Sequence, residues 1–456
     1  MFRFLKSGSL ISLILFLGIW GFYVLITQNL HHNPFSWELR FFLLGEKINE
    51  GFRLYQDISE NIGPAAAIIY SIIHYFSIKI TLLPYLASIL IGLQGIIFQR
   101  TIQRFDLVVN LGYFPFIVYV SLFHISMELW SLSPALMGLT FILMAWAEII
   151  YQQRGLSAND RVFLIGIYLG IGSLFFLSYS FFIIWGLYAL IAFTGVNVRQ
   201  LLLTLVGFAL PFLLIYTWLN YTENLGSLVT IFETSAFQFN VIDSNHLTHI
   251  LLTYLPGLSL ALVGFYKLAT SGKIRANAQK AQQTNFGWLV ISILLLFTLP
   301  NYSRYNLVIF IPGLSLLGLQ LFYLFRSKIA KESYLWAFLI LCVMARQIEI
   351  KIDKSELLKQ GQLPFRNEKL LVLGPQLEEY LNNKMSGPFI NWEISKNLFM
   401  NLDQYEKVVV LTNLFEKEPP TYIFDPENTF KNIQKRIPNI GLKYRESGEH
   451  LFKRIN

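Results

Sequence analysis

Cysteine is almost absent from this chain of 456 residues: Cys342 stands alone, inside an apolar run. Without a second thiol there is no intrachain disulfide framework, and neither a CxxC metal site nor a CxxC redox pair. Charge is scarce too, at 14% of residues against about 25% in ordinary soluble domains. There is no internal repeat, no low-complexity segment and no Gly-rich phosphate loop; Gly374 after a short β-type run is a lone glycine. What fills the sequence is apolar: 54% hydrophobic residues, 40 Phe, 23 Tyr and a mean hydropathy of +0.49. A soluble globular chain is excluded, because apolar runs of this length call for lipid rather than a water-excluded core. The net charge of +8 raises the question of nucleic acid, but positive cytoplasmic loops of a membrane protein produce the same excess. The positions of the charges decide between the two.

The first apolar run, residues 8–26, follows Arg3 and Lys6. It is close to the ~20 residues a span needs and lacks a small-x-small cleavage site, so it reads as a retained anchor with its N-terminus inside. A long outer loop, 28–79, follows; its apolar piece 63–78 is about one turn short of a span and is expected to lie along the membrane surface. Further runs at 80–98, 107–123, 129–150, 162–178, 179–194, 201–219, 250–268, 286–300, 305–325 and 334–345 bring the expectation to about eleven transmembrane helices. Inner loops then collect Arg100 and Arg104, Arg154 and Arg161, Arg199, Lys273, Arg275 and Lys280, and Arg326, Lys328 and Lys331. The outer segments 125–128 and 220–249 hold no Lys or Arg, and 301–304 holds only Arg304. That asymmetry follows the positive-inside rule and argues against nucleic acid as the partner. An odd number of spans puts everything after Arg346 in the periplasm of a bacterial inner membrane.

The composition changes at Arg346, so the chain divides into a transmembrane domain, 1–345, and a periplasmic α/β domain, 346–456. Short β-type runs at 369–373, 407–411 and 421–424 alternate there with helical stretches at 376–383, 394–402 and 428–436, as in an α/β layer. The fold class is an all-α polytopic membrane protein with a small C-terminal α/β domain.

Ionisable groups at a membrane boundary are the first places to look for chemistry. The first outer loop holds Glu38, Arg40, Glu46, Lys47, Glu50, Arg53, Asp57 and Glu60. Read as a helix, 35–51 puts Glu38, Phe42 and Gly45 near one face and Leu39, Leu43 and Glu46 near another, which suits an amphipathic element at the headgroups. One of these carboxylates can serve as a general base towards an acceptor hydroxyl; the alternative is a set of solvated surface charges. A second cluster runs from Pro300 to Asn306, where Arg304 offers a planar guanidinium to a phosphate; the alternative is a snorkelling interfacial Arg among aromatic neighbours. Glu128 is a third acid at the same boundary, or simply a turn residue, and Glu148 at an inner helix end is expected to be solvated. His31, His32, His124, His246 and His249 lack metal-ligand spacing and read as interfacial residues rather than zinc ligands.

Taken in order, the first span, the loop with Trp37-Glu38-Leu39-Arg40 leading through Glu50-Gly51 to Tyr55-Gln56-Asp57 and Gly63-Pro64, the many further spans, Ser303-Arg304-Tyr305 before Pro312, and the α/β tail resemble the bacterial type C membrane glycosyltransferases. That superfamily includes protein O-mannosyltransferases and the lipid A aminoarabinose transferase, which take sugars from polyprenyl-phosphate carriers. The family's loop typically opens with an acidic pair; here Trp37 stands at the first position and Glu38 at the second. The resemblance implies Asp57 and Glu38 as catalytic acids, and Arg304, Tyr305, Arg40, Tyr55 and Glu128 as substrate contacts. It also implies membrane lipid and a polyprenyl-phosphate-linked sugar donor as partners, with the acceptor open. A divalent metal is compatible with such chemistry, but the sequence supplies no ligand set for one. A non-catalytic scaffold of envelope assembly is the second reading. A lipid or solute transporter is the third, weakened by the small number of mid-membrane ionisable groups.

Overall fold

A computed structural model describes residues 33–58, 60–108, 112–155, 158–221, 254–270, 276–299, 303–324, 327–359, 361–400 and 402–455, with a few isolated positions between 14 and 24 and at 248. The expected anchor at 8–26, apart from those positions, and the outer segment 222–247 lie outside the described residues, as do Lys273, Arg275, Arg326, His31, His32, His246 and His249.

The chain divides into two compact units, one of residues 1–32, 62–66 and 81–355, the other of 33–61, 67–80 and 356–456. The second unit is thus more than the tail expected from composition, since it takes in most of the first outer loop. The loop contributes to it α1 (Ser36–Asn49) and the greater part of α2 (Pro64–Tyr75).

The first unit is helical, built from α3 (Leu83–Arg104), α4 (Phe114–Phe123), α5 (Pro134–Gln152), α6 (Asn159–Phe175), α7 (Phe182–Phe193), α8 (Val198–Tyr221), α9 (Leu255–Thr270), α10 (Ala276–Leu296), α11 (Phe310–Leu324) and α12 (Lys328–Glu356). By length and composition three described helices are long and apolar enough to cross a membrane, at 80–104, 134–152 and 198–221. The apolar, helical character of this part agrees with the sequence reading, while a count of eleven spans does not follow from these helices. Two expected runs are interrupted, 129–150 by the break before Pro134 and 305–325 by a 3-10 turn at Arg304–Ile309, while the expected boundary between 162–178 and 179–194 falls in a 3-10 turn at Leu177–Phe181. Conversely, α12 carries on past Arg346 to Glu356, so the change in composition there is not the end of a helix. Arg346 and Glu349 are buried, and burial of charged residues is what a hydropathy argument cannot see.

Helices α6 and α8 approach closely because Gly166, Gly170 and Gly207 lie at their crossing. A Cβ on Gly166 would sit 2.1 Å from the Thr204 carbonyl oxygen, and one on Gly207 2.4 Å from that of Phe163. Small residues four apart allow backbones to meet where side-chain packing, not water, holds helices together. Polar side chains join other pairs: Gln94 on α3 donates to the Leu136 carbonyl at 2.8 Å and to Thr140 Oγ1 at 2.9 Å on α5, and accepts from the Tyr119 hydroxyl of α4 at 2.9 Å.

The second unit has a five-stranded sheet in the order β2 (Lys384–Met385), β1 (Lys369–Val372), β3 (Tyr422–Phe424), β5 (Leu451–Arg454), β4 (Tyr444–Gly448). The first three strands are parallel, with Leu370 opposite Tyr422; β5 and β4 form an antiparallel hairpin, with Ile423 of β3 opposite Phe452. Helices α13 (Trp392–Met400), α14 (Tyr405–Lys417) and α15 (Phe430–Arg436) complete the layer, and Leu371, Met385, Phe399, Leu411, Ile423 and Phe430 are buried. The strand expected at 407–411 is instead part of α14. Its Val-rich run reads as β, but Leu411, Leu414 and Phe415 are buried at helical spacing while Val409 and Val410 are exposed. Asp425 stabilises the start of α15 by accepting from the Thr429 and Phe430 amides at 2.8 and 2.7 Å; burial pushes its carboxyl up, with those two bonds acting against it.

Candidate functional site

The residues expected at the site fall in both units, Glu38, Arg40, Tyr55 and Asp57 in the second and Glu128, Arg304 and Tyr305 in the first. Each unit holds its own cluster.

In the second unit, α1 begins where Phe35 makes an antiparallel bridge with Leu357 and the Pro34 carbonyl accepts from the Leu358 amide at 3.1 Å. Glu38 in the first turn and Lys47 in the last complement the helix dipole. A headgroup-lying amphipath should keep one wet face, yet Trp37, Glu38, Leu39, Phe41, Leu43, Leu44, Gly45 and Lys47 are all buried. Gly45 explains part of this. A Cβ there would sit 2.3 Å from the Tyr70 carbonyl oxygen of α2, and next to it Asn49 and Ser71 exchange two hydrogen bonds of 2.8 Å.

Lys47 is 0% exposed. Its ammonium donates to Glu50 Oε2 at 2.5 Å, to the Met385 carbonyl at 2.6 Å and to the Glu418 carboxylate at 2.9 and 3.1 Å. An ammonium has three donors, and three partner groups meet it. Glu418 also accepts from the Gly387 amide at 2.9 Å, while Lys417 donates to the Gly51 carbonyl at 3.1 Å and lies 4.0 Å from the centre of the Phe52 ring. Farther along the loop, Glu60 is buried with Arg40 Nε 3.7 Å away and the Asn391 amide at 3.4 Å. Burial also pushes the Glu46 carboxyl up, against the pull of Lys47.

Asp57 closes the turn that follows. Its Oδ2 accepts from the Arg53 amide at 2.8 Å, its own amide donates to the Arg53 carbonyl at 3.0 Å, and Arg53 Nη1 donates to Gln56 Oε1 at 3.1 Å. Tyr55 sits in this turn with φ +71°, a conformation an aromatic residue adopts only where its surroundings impose it. It is buried, and burial raises its phenol so that the ring stays protonated. Asp57 itself is half-buried, whereas Glu38 is buried. The two candidate acids are thereby separated: Asp57 is anchored through one oxygen and reachable, and Glu38 is enclosed.

In the first unit, Arg304 opens a 3-10 turn of buried residues, Arg304–Ile309, whose carbonyls are held from neighbouring helices: Trp288 Nε1 donates to that of Ile309 at 2.8 Å, and the Tyr254 hydroxyl donates to that of Leu307. The Arg304 amide donates to Glu128 Oε2 at 2.7 Å, its Nε lies 3.5 Å from the same oxygen, and its Nη1 donates to Glu349 Oε2 at 2.5 Å. Arg304, Glu128 and Glu349 are 5, 3 and 1% exposed, so this is a buried ion cluster in which Arg304 meets both carboxylates. Tyr305 is buried in the same turn. In the same unit, His124 accepts from Trp20 Nε1 at 2.7 Å and meets the Trp130 ring at 4.1 Å. Burial, and then the charge on Arg346, holds its imidazole down to about 3, hence neutral.

Sequence reasoning brought Arg304 and Glu128 to one boundary, and the structure joins them. It missed Glu349, because α12 was expected to end at Ala345, and it missed Glu418, which lies 371 residues from its partner Lys47. Among the described residues no three His, Cys, Asp or Glu side chains converge as a metal ligand set; Glu128 and Glu349 are already engaged by Arg304. Comparison with protein-family models, with curated proteins and with solved structures finds no match to the chain.

Proposed function

We propose that the chain transfers a sugar from a polyprenyl-phosphate carrier to an acceptor hydroxyl at the outer face of a bacterial cytoplasmic membrane, with Asp57 as the base. The observation that carries this reading is the state of Asp57: one carboxylate oxygen bound to the Arg53 amide, on a turn fixed by its own hydrogen bonds, in a half-buried setting. A base needs a fixed geometry and an accessible lone pair. The Asp57 carboxylate takes the proton of the acceptor hydroxyl, the acceptor oxygen bonds to the anomeric carbon, and the bond from that carbon to the carrier phosphate breaks, releasing polyprenyl phosphate. Arg304 contributes less than the sequence suggested, since a phosphate there must displace a carboxylate already in contact. Glu38 is assigned to packing rather than to proton transfer.

The test uses two variants, because Asp57 also closes a turn. Asp57→Asn keeps an oxygen for the Arg53 amide and removes the base, whereas Asp57→Ala removes both. Transfer of labelled sugar from the endogenous carrier pool in membrane vesicles should fall by about 10²–10⁴-fold in Asp57→Asn, with thermal stability unchanged. Full transfer by Asp57→Asn would remove the enzyme reading.

The second reading, a non-catalytic scaffold, is favoured by the Lys47 cluster, which spends the charges of the loop on joining α1 to the sheet layer. Under that reading a deletion strain is fully complemented by Asp57→Asn and is not complemented by Lys47→Met.

A further inference from the structure

At one end of α3, α5 and α6 lies a cavity of about 220 Å³ that none of the chemistry above uses. One face of each helix lines it: Ile97, Arg100, Thr101 and Arg104 from α3, Met144, Ala147, Glu148 and Tyr151 from α5, and Arg161 and Tyr168 from α6. Three guanidiniums therefore surround a space with a single carboxylate in its wall. That carboxylate is spent, because Glu148 Oε2 accepts from Arg161 Nη1 at 2.7 Å. Asp160, the other acid near Arg161, is not part of the lining. The Tyr151 ring holds the cations in place, with the Arg161 guanidinium 4.1 Å and that of Arg104 5.9 Å from its centre. Arg100 and Arg104 are exposed, and among the described residues neither forms an ion pair with a carboxylate. A cation in the last turn of α3 is favoured by the helix dipole, but the dipole does not account for three guanidiniums gathered around one hollow.

The wall also changes character with depth. Arg100, Arg104, Glu148, Tyr151 and Arg161 lie near the helix ends, whereas Ile97, Met144 and Tyr168 are one to two turns farther in. A cavity with cations at its mouth and an apolar inner wall matches an amphiphile. Its charge asks for an anion, and guanidiniums pair best with phosphate. The Lys and Arg pattern of the sequence assigns this end to the cytoplasm, where basic pockets between helices take anionic headgroups.

We propose that this cavity binds the phosphate headgroup of an anionic phospholipid, with Arg100 and Arg104 as its charge partners and Arg161 fixed by Glu148 and Tyr151 as the third wall. The proposal is independent of the transfer reading. Its test is native mass spectrometry of the full-length protein in detergent, titrated with phosphatidylglycerol and, separately, with phosphatidylcholine. Wild type should retain phosphatidylglycerol in preference, and Arg100→Gln/Arg104→Gln should weaken that retention at least about tenfold while leaving phosphatidylcholine unaffected. Glu148→Gln, which removes the one carboxylate, should strengthen it. Equal retention of the two lipids by wild type overturns the proposal. So does phosphatidylglycerol retention unchanged in both variants, and where the double variant fails to fold the sign of the Glu148→Gln effect decides alone. If millimolar inorganic phosphate stabilises the wild type against heat and phosphatidylglycerol does not, the occupant is a soluble phosphate and the lipid assignment falls.

Discussion

Two buried cations, Lys47 in the second unit and Arg304 in the first, meet the same problem in different ways. Each faces two carboxylates, Glu50 and Glu418 for Lys47, Glu128 and Glu349 for Arg304. For Lys47 one partner is at the surface, Glu50 being 40% exposed, and a backbone carbonyl completes the set. For Arg304 both partners are as buried as the cation itself. Removing a charge from water costs several kcal/mol per ion, and only close partners offset it. A cluster with a wet edge can lose its centre and let solvent in, whereas a dry one cannot. The difference predicts which substitution is the more damaging.

Arg304→Met should have the largest effect. It removes a cation that the buried Glu128 and Glu349 both contact, at roughly 3–5 kcal/mol, read as loss of folded protein in detergent by a thermal melt. Adding Glu128→Gln and Glu349→Gln should recover most of the loss; no recovery would mean that Arg304 matters for something other than charge balance. Lys47→Met should cost less, about 3 kcal/mol at the lower end of the same range, because Glu50 turns to solvent and Glu418 keeps the Gly387 amide. A cost equal to that of Arg304→Met would break the comparison. Gly45→Ala follows, at about 1–3 kcal/mol, since a methyl group must push the Tyr70 backbone aside. Asp57→Asn closes the series, with a stability change within about 0.5 kcal/mol, so that any loss of transfer is chemical.

The sequence made the second unit partly legible. The expected run at 369–373 is β1, that at 421–424 is β3, and the helices expected at 394–402 and 428–436 are α13 and α15 within two residues at each end. The β4–β5 hairpin escaped because its exposed strands carry little apolar alternation: Arg445, Glu446, Lys453 and Arg454 face solvent. The true extent of α12 escaped for the opposite reason, since Arg346 and Glu349 are polar and buried. At the candidate site, Tyr55-Gln56-Asp57 was visible as a motif, but what distinguishes Asp57 from Glu38 is burial and a hydrogen bond to Arg53, neither of which spacing conveys. The partnership of Arg304 with Glu349 joins positions 45 residues apart, and that of Lys47 with Glu418 joins positions 371 apart. Pairings of that kind are set by the tertiary fold, so a single sequence holds both members without linking them.

The pairing of Asn33 to Leu358, 325 residues apart and closed by a 2.8 Å bond from the Asn33 amide, puts a schedule into synthesis. At about 5–20 residues per second the ribosome needs roughly 15–65 s to supply the later partner after the earlier one has emerged. Throughout that interval α1 lacks Glu418 for Lys47 and Leu357 for Phe35. The loop must therefore wait, unfinished, while the helices of the first unit are being made. A chain cut short before Glu418 never gains that partner for Lys47, and limited proteolysis of such a chain should cut first around the exposed Gly51 and Arg53, far from the lesion.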